Sequence, residues 1–266
     1  MIIMKPILAI LLLLIFFSAD SQVTRYAGWE TGDVFQGMFY PYKICTPYGA
    51  TISDSFARVG THSVRIECRA DQADCGGNKR SQLFYPKGPM DSTTEWWAVS
   101  IYVPVDYAFD SLSESHMNLT NPAGPGSGIG SVWIKADKWF CAGSYDTVNR
   151  VIGANIVSYY QEIGPVAKGV WTDWVINAHW AFNGNGFIKY YKDGKLVYNI
   201  TGTIANRDSN GGIQYPYGSF GTYKWPWHKP GNYNPSVRVL YFDEYRTGGV
   251  HSTLSDFVPD KKPVSY

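Results

Sequence analysis

A short aromatic and basic segment near the C-terminal end carries residue types suited to binding a sugar. Two Trp, one His and two Lys fall within its seven residues, Tyr223-Lys224-Trp225-Pro226-Trp227-His228-Lys229. Indole rings stack on flat ring faces, and cationic side chains meet carboxylates. We therefore predict that Lys224, Trp225, Trp227 and His228 contact a saccharide. The competing interpretation is a loop that caps the core, because Trp side chains are mostly buried.

Three further cations lie in segments with a strand-like pattern. Arg80 follows Lys79 in Lys79-Arg80-Ser81-Gln82-Leu83, and Lys135 ends Trp133-Ile134-Lys135. A guanidinium group binds a carboxylate through two hydrogen bonds, so Arg80 is a candidate ligand for an anionic group. Lys79 adds positive charge beside it, and Lys135 is a third candidate. The alternative is that these are solvated charges on a strand surface.

Composition excludes several functions. The 266 residues hold 23 Lys plus Arg and 22 Asp plus Glu, a net charge of +1, which leaves no basic excess for nucleic acid. The 45% hydrophobic and 16% aromatic content excludes disorder. No P-loop, G-x-S-x-G elbow, H-E-x-x-H motif or EF-hand loop occurs. The paired acids that a glycoside hydrolase needs are also missing from the sequence pattern.

Strand patterns predominate, and no helical periodicity is convincing. Residues 63–68 alternate between apolar and polar, and residues 96–103, 174–180 and 237–245 each have the pattern of a strand. Asp193-Gly194 separates two such runs and predicts a β-hairpin. We predict an all-β fold of two packed antiparallel sheets that forms one domain over residues 22–266.

The N-terminal residues predict secretion. Lys5 precedes an apolar run over residues 7–17, and Ala19-Asp20-Ser21 fits a cleavage site, so residues 1–21 are predicted to be a signal peptide. The run is too short to span a bilayer, and no membrane association is expected. The predicted protein is extracellular, and sequons at Asn118 and Asn199 predict glycosylation there. We expect a monomer.

All four cysteines follow the predicted cleavage site. An even number in an oxidising compartment predicts two disulfides, with three alternative connectivities. Because Cys68 and Cys75 bracket a short polar loop, we favour the pairs Cys68–Cys75 and Cys45–Cys141. A zinc site is the weaker alternative, since no C-x-x-C pair or His cluster accompanies the cysteines.

Several segments, in collinear order, resemble the secreted polysaccharide lyases of the heparin lyase I and glucuronan lyase type. The resembling segments are residues 29–33, 62–67, 79–83, 95–104, 169–176, 193–195, 220–225 and 241–244. The resemblance implies a concanavalin A-like β-jelly-roll sandwich. It also implies cleavage of a uronic-acid polymer by β-elimination, with an acidic polysaccharide as the partner.

The same resemblance implies roles for individual residues. Tyr223, in Gly221-Thr222-Tyr223, corresponds to the tyrosine that protonates the leaving oxygen and, in a syn-elimination, also removes the C5 proton. His116 corresponds to a base or a carboxylate ligand. Arg80 corresponds to an arginine that binds the uronate carboxylate, and Gln82 adds a substrate contact. For both Tyr223 and His116, a structural role is the competing interpretation.

Two positions depart from the family pattern. Glu114 stands where the family has Gln and would repel an anionic substrate, while Gln82 stands where it has Glu. The sequon at Asn118 would also place a glycan near a cleft. No cofactor is expected for the reaction, but related jelly rolls hold a structural calcium, for which Glu30 and Asp243 are the candidates here.

Two hypotheses follow. One is an active lyase in which His116 and Tyr223 act on a substrate held by Arg80. The other is a carbohydrate-binding or extracellular (skeletal) matrix protein that keeps the fold without cleaving. The retained Gly-x-Tyr motif favours the first, and Glu114 and Gln82 favour the second.

Overall fold

The computed structural model describes residues 23–85, 93–120, 128–146, 156–204, 206–207, 212–231 and 233–259. The predicted signal peptide, residues 1–21, lies outside these ranges. Within them there is no α-helix and therefore no helix that could cross a membrane.

The described secondary structure consists of β-strands and three short 3-10 helices. In chain order the strands are β1 (Val23–Ala27), β2 (Ala50–Ser53), β3 (Ser63–Arg69), β4 (Arg80–Tyr85), β5 (Thr94–Tyr102), β6 (Glu114–Thr120), β7 (Gly130–Lys135), β8 (Lys138–Asp146), β9 (Ile156–Pro165), β10 (Trp171–His179), β11 (Ala181–Lys192), β12 (Lys195–Ile204), β13 (Asn206–Arg207), β14 (Ile213–Gln214), β15 (Tyr217–Tyr223) and β16 (Val237–Gly248). The 3-10 helices are η1 (Pro41–Lys43), η2 (Trp225–His228) and η3 (Leu254–Phe257).

Two antiparallel sheets form the sandwich. The first has eight strands in the order β12-β11-β10-β5-β16-β3-β2, with β1 paired to β16. The second has six strands in the order β4-β15-β6-β7-β8-β9. Strands distant in sequence are neighbours in both sheets, as in a jelly roll. The predicted all-β jelly-roll sandwich is confirmed.

The core lies between the two sheets, where alternate side chains of each strand meet. Trp139 of β8 packs edge-on against Trp174 of β10, with ring centroids 5.4 Å apart, and both side chains are fully buried. Phe220 of β15 and Phe242 of β16 also meet across the core, with tilted rings whose centroids lie 5.5 Å apart. Each such side chain contributes about 1.5–3 kcal/mol through burial. The opposite face of the six-stranded sheet lies outside this core.

The predicted hairpin is also confirmed. β11 and β12 pair antiparallel across Asp193 and Gly194, whose φ angles are 50° and 73°. Positive φ at both central residues is the geometry of a type I′ turn, which explains the Asp-Gly sequence.

The disulfide prediction is wrong in its pairing. The structure forms one disulfide, Cys45–Cys75, with Cα atoms 5.6 Å apart, and leaves Cys68 and Cys141 as buried free thiols. Proximity in sequence misled the prediction. Cys68 lies on β3 with its side chain buried in the protein, whereas Cys75 lies in the following loop and reaches the segment after η1.

Candidate active site

A pocket of about 480 Å³ opens on the outer face of the six-stranded sheet. Strands β4, β15, β6 and β7 form its floor, and the segments around η1 and η2 form its sides. The described side chains that line it are Lys43, Asn78, Arg80, Gln82, Ser115, Asn118, Thr120, Trp133, Tyr217, Ser219, Tyr223, Trp225 and His228, with Gly128 at the rim. The pocket therefore gathers several of the residues that the sequence singled out.

Arg80 and Tyr223 face each other across the β4–β15 pair. They are register partners, and the guanidinium carbon of Arg80 lies 4.2 Å from the centroid of the Tyr223 ring. Arg80 Nη2 donates to the carbonyl oxygen of Gly76 at 3.4 Å, while its buried Nε has no partner among the described residues. The Arg80 side chain lines the pocket, where its guanidinium group can meet a bound anion.

Gly221 explains the Gly-x-Tyr motif physically. Its φ is +126°, and a Cβ at this position would lie 2.4 Å from the backbone oxygen of Ser81. Only glycine permits this approach between β15 and β4. The pairing of β15 with β6 also shifts register between Phe220 and Tyr223. The local backbone therefore fixes where the phenol of Tyr223 lies.

Gln82 lies at the floor of the pocket beside Tyr223's strand. Its side chain is almost fully buried, and its Nε2 lies 3.5 Å from Ser219 Oγ. Gln82 therefore offers the pocket a neutral amide where a Glu would have introduced a negative charge.

Lys43 is a pocket residue that sequence reasoning missed. Its Nζ lies 4.6 Å from the ring centroid of Phe84 and 4.9 Å from that of Tyr217. Burial, together with the positive charge of Arg80, lowers the pKa of Lys43 to about 8. No local sequence signal marks it, because Lys43 reaches the pocket through contacts between distant segments. Tyr40 pairs with Phe84, and the disulfide at Cys45 follows two residues after Lys43.

His116 does not line the pocket. The imidazole is fully buried beneath the sheet, with Nδ1 3.2 Å from the carbonyl oxygen of Gly221 and Nε2 3.6 Å from Glu114 Oε1. The pairing of β6 with β7 shifts register between Ser115 and Met117, so the side-chain alternation changes at His116. The residues that β6 presents to the pocket are instead Ser115, Asn118 and Thr120.

Glu114 belongs to a buried charge network and not to the pocket surface. Arg238 Nε donates to Glu114 Oε2 at 2.8 Å, and Lys224 Nζ lies 3.3 Å from the same oxygen. Burial alone would raise the pKa of Glu114, but His116, Arg238 and Lys224 together lower it well below its usual range. The expected repulsion of an anionic substrate by Glu114 is therefore removed by two cations.

Lys224 and Trp227 are part of this network, and neither lines the pocket. Lys224 Nζ donates to Asp110 Oδ1 at 2.7 Å and to the carbonyl oxygen of Leu112 at 2.8 Å. The buried Trp227 ring lies 5.7 Å from Lys224 Nζ and 5.3 Å from the guanidinium carbon of Arg238. For these two residues the core-capping interpretation is correct. The prediction that they contact a saccharide does not fit their burial.

Trp225 and His228 do line the pocket. The Trp225 ring lies 5.4 Å from the Tyr223 ring and 4.8 Å from that of Trp133, between centroids. Both Trp rings are half-buried, and His228 is exposed. Within η2, Trp225 and His228 therefore line the pocket, whereas Trp227 is buried.

The other two predicted cations lie away from the pocket. Lys79 Nζ pairs with Asp74 Oδ1 at 3.0 Å and borders a separate recess. Lys135 is exposed at the end of β7, with its Nζ 6.0 Å from the Tyr160 ring centroid.

Glu30 and Asp243, the calcium candidates, hold one loop. Both Glu30 carboxylate oxygens accept the Thr61 amide, at 3.0 and 3.1 Å, while Asp243 Oδ2 accepts the amide of Arg58 at 2.8 Å. Burial raises the pKa of Asp243 to about 7. The described residues contain no group of three or more His, Cys, Asp or Glu suited to a metal ion. These carboxylates fit a loop clamp better than a calcium site, and calcium stays an untested prediction.

The two sequons differ in their surroundings. Asn118 Nδ2 is buried at the pocket, and its Oδ1 accepts the Ser115 hydroxyl, which leaves no room for a glycan in the folded chain. Asn199 is exposed on β12, so glycosylation there stays a prediction.

The fold and pocket define a jelly-roll protein with a polar and aromatic site on one sheet face. A family model, polysaccharide lyase, matches residues 21–246, and the chain therefore belongs to the polysaccharide lyase family. The resemblance drawn from the sequence is confirmed at this level. A comparison with curated proteins finds no match.

Solved structures agree with this assignment. The endo-β-1,4-glucuronan lyase of the fungus Trichoderma reesei matches with a TM-score of 0.72 and 18% identity, over 90% of this chain and 100% of that one. The alginate lyase vAL-1 of a Chlorella virus matches with a TM-score of 0.59 and 10% identity, over 85% and 99% of the two chains. At these identities the likeness shows the fold.

Proposed function

We propose that this chain cleaves an acidic polysaccharide by β-elimination at a uronate residue, with Tyr223 as the catalytic residue. The observation that carries the proposal is the charge of the pocket. Among the described residues that line it, Lys43 and Arg80 are cationic and none is Asp or Glu. A pocket with such a lining favours an anionic sugar even though the net charge of the chain is only +1.

The first requirement of the reaction is to neutralise the uronate carboxylate, because the C5 proton is only weakly acidic beside a free carboxylate. Arg80 supplies charged donors, and Lys43 supplies a second positive charge. Such donors stabilise the negative charge that develops as the C5–H bond breaks.

The second requirement is a group that moves the proton. The phenolate form of Tyr223 removes the C5 proton, and the C–H electron pair forms the C4–C5 double bond. The C4–O bond breaks, and the phenol of Tyr223 returns the proton to the leaving oxygen. This is a syn-elimination, since one residue serves both atoms. His116 is too deeply buried to take part and instead contacts the carbonyl oxygen of Gly221, so we give it a positioning role.

The test is an elimination assay on glucuronan, alginate and heparin-type polymers, followed by the ultraviolet absorbance of the unsaturated product. Tyr223→Phe should abolish activity without lowering the melting temperature. Tyr241→Phe, on the other sheet, is the matched control and should keep full activity. Absence of product on every polymer, or a fully active Tyr223→Phe variant, would refute the proposal.

The alternative is carbohydrate binding without cleavage. One observation favours it, since Ser115, Asn118 and Thr120, which β6 presents to the pocket, include no titratable side chain. The same assay separates the two functions when binding is measured beside cleavage. Retained binding with no product would support the alternative.

We also propose that the protein is secreted. The Cys45–Cys75 disulfide supports this, because disulfides persist in oxidising compartments. The signal peptide, the monomeric state and the absence of a required cofactor stay predictions.

A further inference from the structure

A row of aromatic rings leads away from the pocket across β7, β8 and β9. Trp133 lines the pocket, and its ring centroid lies 5.5 Å from that of Tyr160. Tyr160 in turn stacks on Phe140 at 4.4 Å, with an interplanar angle of 15°. We call Trp133, Phe140 and Tyr160 the aromatic row. It continues the ring surface of the pocket beyond the residues that face Arg80.

Tyr160 is arranged as an open platform. The Tyr160 ring stacks on Phe140, which is only 8% exposed. Tyr160 itself is 44% exposed. A large aromatic side chain that packs against a neighbour and is still 44% exposed offers an apolar surface at little entropic cost on binding. The exposed Lys135 side chain lies over this ring and can move aside to meet the carboxylate of a bound sugar. The C–H face of a pyranose ring has the matching shape and polarity.

The charges beside the aromatic row suit an anion. Lys135 Nζ lies 6.0 Å from the Tyr160 centroid and forms no ion pair within the described ranges. The acid nearby, Glu162, is paired with Lys138 at 2.8 Å. Lys135 therefore brings an unpaired positive charge to the Tyr160 ring, although the exposed Asp137 lies two residues away in the turn between β7 and β8.

We propose that the aromatic row is a second sugar site, which binds a further uronate residue of the same polysaccharide outside the pocket. The sugar ring stacks on Tyr160, and its carboxylate meets Lys135. This inference rests on the proposed acidic substrate. It adds that the protein binds at least one sugar residue beyond the uronate that is cleaved.

The test measures binding, which does not depend on cleavage. In the Tyr223→Phe background, affinity electrophoresis in gels that contain glucuronan, alginate or heparin-type polymer gives the dissociation constant. Tyr160→Ala should weaken binding to the acidic polymer about five- to tenfold. Tyr160→Phe, which keeps the ring, should not, and neither should Trp171→Ala on the other sheet. Lys135→Gln should weaken binding to the acidic polymer and leave any binding to cellulose unchanged.

A second arm uses a uronate disaccharide. When it is bound beside Tyr223, the Trp225 and Trp133 rings separate it from Tyr160, with successive ring centroids 5.4, 4.8 and 5.5 Å apart, so we expect it to leave Tyr160 uncovered. Its affinity should be the same for Tyr160→Ala as for the parent. The proposal is overturned if Tyr160→Ala binds the polymer as tightly as the parent, or if polymer and disaccharide are affected equally. If the wild-type protein cleaves no polymer but Tyr160→Ala still weakens binding selectively, elimination fails and the second site stands. If no acidic polymer binds, both fail.

Discussion

The guanidinium group of Arg80 lies over the ring of Tyr223, 4.2 Å from its centroid, and joins the two most distinctive motifs of the sequence. Arg80→Lys keeps the charge but loses the planar fork that stacks on a ring and grips a carboxylate. We expect kcat/KM on the cleaved polymer to fall about ten- to hundredfold, as for loss of a hydrogen bond to a charged group.

The matched control for this change is Arg65→Lys on β3, where the arginine pairs with Glu67 on the other sheet. That variant should retain wild-type kinetics. Equal losses in both variants would contradict a specific role for Arg80, and unchanged kinetics in Arg80→Lys would show that charge alone suffices.

Lys43 is a pocket residue whose charge changes near pH 8. Its pKa is lowered to about 8, so its positive charge is present below that pH and is lost above it. Burial raises the pKa of neighbouring Tyr217, and that of Tyr42 to about 12, so these rings stay neutral over the same range. We expect KM for the acidic polymer to rise as the pH passes 8, because the carboxylate loses one partner.

Two variants check this assignment. Lys43→Gln should show a raised KM with no further rise near pH 8, whereas Lys43→Arg, which stays charged, should keep a low KM across the range. An increase in kcat through pH 8 that disappears in Lys43→Gln would instead make neutral Lys43 the base, and Tyr223 would then act only as the acid.

The cysteines give a chemical test of the connectivity. Alkylation of the denatured, unreduced protein should label Cys68 and Cys141 only, and mass spectrometry should find the Cys45 and Cys75 peptides linked. In the folded protein both thiols should react slowly, because burial raises their pKa, to about 12 for Cys68. A Cys68–Cys75 peptide would contradict the fold around η1.

The strands and the hairpin are predictable from the sequence, because their patterns lie in residues that are neighbours along the chain. The alternation at residues 63–68 corresponds to β3, and the Asp193-Gly194 turn corresponds to the β11–β12 hairpin. Each pattern depends on neighbouring residues whose period follows from strand geometry. Family membership follows from many such segments in order, although each is weak by itself.

The site is less predictable because it depends on irregular pairing and on distant contacts. The register shift between Ser115 and Met117 buries His116, and a shift of one residue exchanges the two faces of a strand. No pattern in a single sequence reveals such a shift. Lys43 is equally hidden, because a disulfide to Cys75 brings its segment to the sheet. Tyr223 and Arg80 line the pocket as their motifs predict, because the Gly-x-Tyr and Lys-Arg segments are visible in the sequence itself.

Glu95 provides a stability test that does not depend on activity. Its Oε2 accepts hydrogen bonds from Trp180 Nε1 at 2.9 Å and Trp97 Nε1 at 3.3 Å, while Oε1 has no partner among the described residues. Burial raises the pKa of Glu95 from 4.5 to about 7, against the effect of the two Trp donors. The folded state therefore holds a proton that the unfolded state releases between these two pH values.

Rising pH lowers the folding stability in this window, because the folded state binds more protons than the unfolded state. The contribution of Glu95 is fully present below pH 4.5 and falls as the pH rises to 7, by about 3 kcal/mol in total. Glu95→Gln cannot ionise and should remove this part of the pH dependence. Urea unfolding at several pH values measures it, with the exposed Glu162→Gln as control. Parallel pH profiles for wild type and Glu95→Gln would show that Glu95 titrates alike in both states.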